Sequence, residues 1–522
     1  MTPPGTLSGV PDVIALRPST PVETSLDQIV GWLGDRLLRI HNGERADAVV
    51  VTGVTISSLR VQPGDLYVAP AGARAHGATF AEKAVADGAA AVLTDSEGAD
   101  LCSDVDVPVL VVERPRAVVG DLAAKVYGQP ATRLRLVAVT GTQGKTTTTR
   151  LAEASLTSAG VSAAVVGTVG TRINGVDVKT SLTTPEAPDL HALFAVMAER
   201  DVQVCAMEVS SHALVMGRVD GVVFDVACFT NLGRDHLDFH ADVEEYFQAK
   251  AALFTPQRAR LGLVNVDDAH GRRLVTEASV PVRTFSATGA PADWRAEDVA
   301  LRPEGSEFTV HPPIGAPFRT TVPLAGDFNV ANALCAIAAL GEAGLEPRAV
   351  AAAMGASGGV PGRLEPVDAG QEFLAVVDYA HKPDAVTAAL RALRPVTQGR
   401  LIIVLGAGGD RDPGKRPIMG EIAARLADVL VITDDNPRSE DPAAIRAALR
   451  AGTESVEPAA RAEVHDVGNR REAIRFAVSL AGPGDTVVLA GKGHETGQEV
   501  GDTVHPFDDR VVLREMLTET TA

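Results

Sequence analysis

Leu136-Val-Ala-Val-Thr140-Gly141-Thr142-Gln143-Gly144-Lys145-Thr146-Thr147 is the stretch that decides the fold. Its apolar, β-branched start reads as a buried strand, which breaks into glycines before a Lys-Thr-Thr. A helical pattern follows, with Leu151, Ala152 and Leu156 on one side and Gly160 as its stop. Strand, glycine turn and helix N-terminus together make an anion site. Backbone N–H groups and the helix dipole face a phosphate, Lys145 adds a full charge, and the Thr146 hydroxyl can hold Mg²⁺. The full phosphate-loop pattern G-x-x-x-x-G-K-[ST] would put its first glycine at position 139, where this chain has valine; the glycine stands at 141. With a strand before and a helix after, the stretch reads as a nucleotide-binding loop.

The chain around it has 522 residues, more than one ordinary core accommodates, which predicts two to four domains. It is 45% hydrophobic and 22% charged, an ordinary globular balance, but only 4% aromatic, so its cores must be built from Ala, Val and Leu. A formal net charge of -19 argues against non-specific nucleic-acid binding, which needs a basic surface, and leaves small anionic ligands open. The four cysteines (102, 205, 228 and 335) lie far apart with no metal spacing and read as free thiols in a reducing compartment. The first residues lack a basic segment followed by an apolar one, and no apolar run is long enough to span a bilayer. The expectation is a cytoplasmic protein without membrane insertion, acting as a monomer.

Residues 1–24, rich in Pro, Thr and Gly, predict a flexible leader. A small α/β unit, residues 25–133, carries strands at Ala48-Val-Val-Val-Thr-Gly-Val-Thr-Ile56 and Leu66-Tyr-Val-Ala69, a helix from Phe80 to Asp87, and a strand from Ala91. The second unit, residues 134–360, alternates strands near Ala163, Val202, Val222 and Gly262 with helical patterns, which predicts a mainly parallel sheet with helices on both faces. Within it, residues 280–323 read as an antiparallel insertion. A Gly-Gly-Val-Pro-Gly linker at 358–362 opens the third unit, residues 361–522. Its strands from Leu374, Leu401, Val429 and Thr486 each run into a polar or glycine-rich loop, where open parallel sheets bind ligands.

Several of these strand ends carry chemistry. Glu208 closes an apolar strand and meets Val-Ser-Ser-His212, a good position for a carboxylate ligand to Mg²⁺. Cys228-Phe-Thr230-Asn231-Leu-Gly-Arg-Asp235-His236-Leu-Asp238-Phe-His240 is either a metal site or a hydrogen-bonded loop, since imidazole is a poor first choice for Mg²⁺. Lys250 lies in the helix Val243-Glu-Glu-Tyr-Phe-Gln-Ala-Lys-Ala-Ala-Leu-Phe254, where periodicity alone makes it a solvated side chain or an i,i+4 neighbour. In the third unit, Gly406-Ala-Gly408-Gly409-Asp410-Arg411 half matches a dinucleotide fingerprint, but arginine replaces its third glycine and no acidic ribose partner follows. Arg411, Arg416 and Arg438, the last in Thr433-Asp-Asp435-Asn436-Pro-Arg438, can clamp carboxylates, and Glu495 in Gly491-Lys-Gly-His-Glu495 can pair with an amine.

Taken in order, Gly141-Thr-Gln-Gly-Lys-Thr-Thr, Ser181-Leu-Thr-Thr-Pro-Glu186, Glu208-Val-Ser-Ser-His212, Thr230-Asn-Leu-Gly-Arg-Asp-His-Leu-Asp238, Gly326-Asp-Phe-Asn-Val-Ala-Asn332, Pro361-Gly-Arg363, Asp378-Tyr-Ala-His-Lys-Pro-Asp384 and Gly491-Lys-Gly-His-Glu495 closely resemble the motif set of the Mur ligases of peptidoglycan synthesis. The resemblance covers nearly the whole chain after the leader. Within that family the likeness is to members that extend UDP-N-acetylmuramoyl-L-alanyl-D-glutamate by its third amino acid. It implies an α/β protein of three domains: an N-terminal UDP-binding unit, a central P-loop ATPase and a C-terminal Rossmann-like domain.

The resemblance also implies roles. Lys145, Glu208, His236 and Lys250 match catalytic positions. Thr146, Glu208, His236 and a carbamylated Lys250, its carbamate derived from CO₂, match the holders of two Mg²⁺ ions. Gly141, Thr142, Gly144, Lys145, Thr146, Thr147, Asn231, Asn329, Arg363, Asp378 and His381 match contacts to ATP. Ser58, Thr183, Thr184, Glu186, Ser210 and Arg218 match the pocket for the UDP-linked dipeptide. Arg411, Asp435, Asn436, Arg438, Gly491 and Glu495 match the amino-acid site, where Asp-Asn-Pro-Arg goes with meso-diaminopimelate because Arg438 can hold its second carboxylate; lysine has none. The first domain departs from the pattern: many relatives have Asp-Ser-Arg where this chain has Ser57-Ser58-Leu59.

The implied chemistry activates the D-glutamate γ-carboxylate as an acyl phosphate, which the incoming amine attacks. Rival readings are the lysine-adding relative, disfavoured by Arg438, and a folylpolyglutamate-type ligase, which gives no reason for the Asp-Asn-Pro-Arg loop or a separate UDP unit. A non-catalytic nucleotide-binding scaffold is opposed by the joint presence of Lys145, Glu208, His236 and Lys250.

Overall fold

The computed structural model describes residues 14–43, 48–180, 182–237, 239–302 and 305–521; the expected leader's residues 1–13, Ser181 and Asp238 lie outside them. The chain divides into two compact units: residues 1–149, 159–284 and 339–345, and residues 150–158, 285–338 and 346–522.

In the first unit an N-terminal sheet has the order Leu37–His41, Val109–Val112, Ala91–Thr94, Asp65–Ala69, Gly53–Thr55, parallel except at its first strand. The larger sheet runs Val176–Val178, Gly170–Ile173, Ala163–Gly167, Val204–Glu208, Arg135–Thr140, Phe224–Phe229, Ala259–Asn265. Its last five strands are parallel, and most of their residues are buried, with Val, Ala and Leu the commonest, as expected when both faces are covered. Gly160, at φ +73°, ends the helix Lys145–Ser158 where the sequence predicts the stop.

In the second unit, Trp294–Arg302, Gly305–His311 and Phe318–Val322 pair antiparallel, matching the predicted insertion. A second sheet has the order Glu365–Pro366, Leu374–Asp378, Thr486–Ala490, Leu401–Leu405, Val429–Ile432, Glu463–Asp466. Here too the inner strands are parallel, so the α/β class with mainly parallel sheets holds in both units. Beneath the carboxyl end of this sheet, Arg470 and Asp509 form a fully buried ion pair at 2.6 Å, and Arg470 also donates to the Ala490 carbonyl at 3.0 Å. That tie fixes the strand end from which residues 491–495 spring.

One expectation needs correction. The segment 14–24 is anchored rather than free: Ile14 is buried, Arg17 pairs with Asp65 at 3.0 Å, and the Ser19 and Thr20 amides donate to Glu199 at 2.9 and 2.8 Å. Its Pro- and Thr-rich composition resembles that of mobile chain, but the buried Ile14, the partly buried Arg17–Asp65 pair and the bonds to Glu199 together tie the stretch down. Among the described residues, no helix is long and apolar enough to cross a membrane.

Candidate active site

The phosphate loop leaves the central strand Arg135–Thr140, so its neighbours are set by the two adjoining strands. On one side Glu208 pairs in register with Val139, and on the other Phe229 pairs with Thr140. Both strands end where the loop begins, which delivers Glu208 and residues 230–236 to the loop from opposite sides.

Gly141 has φ +143°, and a Cβ there would collide with the Thr230 hydroxyl, so only glycine fits. Thr142 N donates to Asn231 O and Gln143 N to Asn231 Oδ1, each at 2.9 Å, while Thr230 Oγ1 donates to Gln143 O at 2.6 Å. Asn231 thus shapes the loop. Lys145, at the helix start, donates to Gly141 O at 2.8 Å and Thr142 O at 3.0 Å. Thr146 and Thr147 are buried beside it.

Glu208 is 1% exposed and accepts from Thr168 N at 2.8 Å and Thr168 Oγ1 at 3.1 Å. Among the described residues no basic side chain pairs with it, so a buried carboxylate is held by neutral donors alone, an arrangement that suits a cation. Thr168 also meets Thr183 Oγ1 at 3.1 Å, and Thr184 Oγ1 donates to Glu208 O at 2.8 Å. Thr168 was not singled out in the sequence; its signal is its place just beyond the strand Ala163–Gly167, beside Glu208. Thr168→Val removes one donor to a charged group and is expected to cost about 1.5–3 kcal/mol of stability, read from denaturant unfolding.

Lys250 departs most from its helical periodicity. It is 1% exposed, its Nζ donates to Gly141 O at 3.0 Å and lies 4.5 Å from the centre of the Tyr246 ring. Asp242 caps that helix by accepting from Glu245 N at 2.8 Å, fixing the face that Lys250 presents. Tyr246, one turn earlier, meets Thr142 Oγ1 through its hydroxyl at 3.2 Å, and burial pushes that phenol well above its ordinary range. His236 sits at φ +54°, with its ring 4.8 Å from His212 and 6.0 Å from Tyr246. Such left-handed backbone at a bulky residue is costly and concentrates at functional sites. The structure therefore brings Lys145, Thr146, His236 and Lys250 around one loop, with Glu208 on the adjoining strand.

Next to Glu208, five of the six residues expected to hold the dipeptide, Thr183, Thr184, Glu186, Ser210 and Arg218, form one network that does not include Ser58. Glu186 accepts from Arg218 Nε at 2.9 Å and pairs with Arg116 at 3.3 Å, and Ser210 caps the short helix Ser211–Val215. Arg116 is an addition from the N-terminal sheet's helix. Ser58 lies beside Tyr67, and Leu59 is 83% exposed on the same loop. Arg60, at that loop's end, pairs with Asp189 at 2.8 Å.

The second unit holds the remaining residues. Asn329 Nδ2 donates to Ala325 O at 2.8 Å at the start of the helix Asp327–Glu342. Arg363 stacks 4.7 Å from the Tyr379 ring centre, and Asp378 accepts from the Leu364 and Ala380 amides at 2.8 and 2.9 Å. Burial pushes the Asp378 carboxyl up from its usual range, with the Arg363 charge pulling the other way. Burial holds His381 and His494 down at about 4, leaving both neutral at physiological pH.

At the neighbouring strand ends, Gly491 has φ +116°, and a Cβ there would run into Asp435. Asn436 Nδ2 donates to Glu495 Oε2 at 2.9 Å. Between them lies Lys492, fully buried, with Nζ 3.0 Å from Asn436 Oδ1, 3.3 Å from Glu495 and 3.6 Å from Asp435. Arg438, at φ +52°, donates through Nη1 to Gly409 O at 2.8 Å and pairs with Glu499 at 2.6 Å. Arg411 donates to Asp410 O at 3.2 Å, whereas Arg416 is committed to Glu440 at 2.8 Å and so is no clamp for a ligand. Asp435, Asn436, Glu495 and Arg438 are joined in one network; Arg411 stands at its edge.

A glycine loop between a central parallel strand and a helix that opens on Lys-Thr-Thr defines a phosphate-loop nucleotide-binding protein. Comparison with known proteins narrows that class. Residues 50–127 match the Mur ligase family catalytic domain, 139–340 the Mur ligase middle domain and 362–493 the Mur ligase glutamate ligase domain. The chain belongs to the Mur ligase family. It is 56% identical over 505 residues to a Streptomyces avermitilis protein, covering 97% of this chain and 98% of the relative, and 57% identical to one from Streptomyces coelicolor, covering 90% and 93%. Both are named UDP-N-acetylmuramoyl-L-alanyl-D-glutamate–2,6-diaminopimelate ligase. A solved structure of a protein of that name matches 96% of this chain and all of its own, at 33% identity and a TM-score of 0.70.

Proposed function

We propose that this protein is the cytoplasmic, ATP-dependent amide ligase that joins meso-2,6-diaminopimelate to the D-glutamate of UDP-N-acetylmuramoyl-L-alanyl-D-glutamate, in peptidoglycan precursor synthesis, and that it acts as a monomer. The observation that carries this reading is the network of Asp435, Asn436, Glu495 and Arg438, in a chain whose relatives of that name align over nearly its full length.

The reaction runs in two displacements. An oxygen of the D-glutamate γ-carboxylate attacks the γ-phosphorus and ADP leaves; the diaminopimelate nitrogen then attacks the acyl carbon, loses a proton, and phosphate leaves. The loop amides of residues 141–147 and Lys145 bind the phosphates, with Asn231 shaping the loop, while Asn329, Arg363, Asp378 and His381 bind the rest of the nucleotide. Ser58, Thr183, Thr184, Glu186, Ser210 and Arg218 hold the UDP-dipeptide. Asp435, Asn436, Gly491 and Glu495 take the amino-acid end of diaminopimelate, and Arg411 with Arg438 its carboxylates.

Thr146 and Glu208 fit one Mg²⁺, and His236 with a Lys250 carbamylated by CO₂ would fit a second. Mg²⁺ takes few protein ligands and the rest from phosphate and water. When bound, the ions would neutralise charge on the transferring phosphoryl group. The deciding measurement is phosphate release from ATP in the presence of the UDP-dipeptide and meso-diaminopimelate, lysine or glutamate. Release with diaminopimelate alone is the expected result. Release with lysine and not diaminopimelate would overturn the specificity.

A further inference from the structure

Resting on the reading that Arg438 receives the second carboxylate of the incoming amino acid, we infer that Glu499 is a built-in competitor for that guanidinium and sets how tightly and how selectively a dicarboxylate amino acid binds. The hairpin Gly497–Val500 and Thr503–Pro506 lies against the loop that carries Arg438. Its docking is specified by main-chain and amide bonds: Arg438 N donates to Glu499 O at 3.1 Å, Gly501 N to Arg438 O at 2.8 Å, Glu499 N to Asn436 Oδ1 at 3.0 Å, and Gln498 Nε2 to Asp435 O at 2.7 Å. That register puts the Glu499 carboxylate 2.6 Å from Arg438 Nε, where a ligand carboxylate would compete for the same donors.

The two partners are unequally held. Arg438 is fixed by its left-handed backbone and its bond to Gly409, and its side chain is 22% exposed. The Glu499 side chain is 45% exposed, so its carboxylate can turn into water at small desolvation cost while the hairpin stays docked. A substrate carboxylate arriving at Arg438 meets the repulsion of Glu499 until that turn occurs. An amino acid without a second carboxylate, by contrast, leaves Arg438 paired with Glu499 instead of stranded. Glu499 therefore weakens binding of the dicarboxylate and softens the penalty against a monocarboxylate competitor.

Glu499→Gln removes the charge and keeps an amide oxygen that can accept from Arg438. The expected result is a KM for meso-diaminopimelate lowered about two- to five-fold, the range an exposed ion pair supports, with the diaminopimelate-to-lysine ratio of kcat/KM raised by a similar factor. An unchanged KM, or a raised KM with a lower melting temperature as for a merely structural pair, would overturn the inference. Arg438→Met, measured alongside, separates the two levels. A raised KM for diaminopimelate in Arg438→Met without the gain in Glu499→Gln sinks only the role of Glu499. An unchanged KM in Arg438→Met sinks the reading of Arg438 itself, and the inference with it.

Discussion

Replacing Lys250 with alanine is expected to lower the rate of phosphate release by about 10³-fold, the scale of losing one electrostatic partner of a transferring phosphoryl group. The side chain is 1% exposed on a capped helix, and its Nζ reaches the first glycine of the phosphate loop at 3.0 Å. A lysine carried there for solubility would be outside the protein; the geometry instead aims it at the loop. If its working form is the carbamate, a small carboxylate such as formate should enter the space left by the alanine and restore part of the rate, whereas Lys250→Arg should stay inactive and unrescued. Full activity of Lys250→Ala without added carboxylate would show that the carbamate has no role. A loss that no carboxylate relieves would give Lys250 a role through its own ammonium, which bonds Gly141 O and lies over the Tyr246 ring.

Lys250 also shows where the sequence could be read directly and where it could not. The strand–loop–helix around Gly141 was legible because a buried parallel strand must be continuously apolar and a phosphate turn needs glycine and lysine at fixed offsets. The strands from Leu374, Leu401, Val429 and Thr486 were legible for the same reason. The burial of Lys250 was not, because helix periodicity reports only which residues share a face, and the loop covering that face comes from residue 141, more than a hundred positions earlier. The hairpins Gly170–Ile173 with Val176–Val178 and Gly497–Val500 with Thr503–Pro506 escaped notice because short polar strands lack an apolar alternation. With the second of them went Glu499, whose meaning lies wholly in its pairing with Arg438. Arg416 failed as a carboxylate clamp because it is buried with both terminal nitrogens on Glu440, and a sequence cannot show which of three strand-end arginines is closed off in that way.

Lys492→Met should cost about 3 kcal/mol of stability and raise the KM for diaminopimelate by more than tenfold, because the lysine is a buried ammonium with charged partners rather than a surface one. Within Gly491-Lys-Gly-His-Glu495 it reads as a solvated turn residue, yet it is fully buried. Its ammonium bonds Asn436 Oδ1 at 3.0 Å and Glu495 at 3.3 Å and lies 3.6 Å from Asp435, so one charge joins the two loops proposed to take the amino acid. Methionine nearly matches its volume, so packing is kept while the charge goes. The Asp435 and Glu495 carboxylates would then face one another with no cation between them, and Asn436 Oδ1 would retain only the Glu499 amide as a donor. The loss is set near the lower end of the range for breaking buried pairs because Glu495 is 32% exposed and water can screen part of its charge. Binding suffers as well as folding. In the proposed function the substrate's ammonium is recognised by these same carboxylates, and it is their spacing that Lys492 holds. Urea unfolding gives the stability change, and the diaminopimelate dependence of phosphate release gives KM. A variant with wild-type midpoint and wild-type KM would mean that the two loops hold their places without this charge.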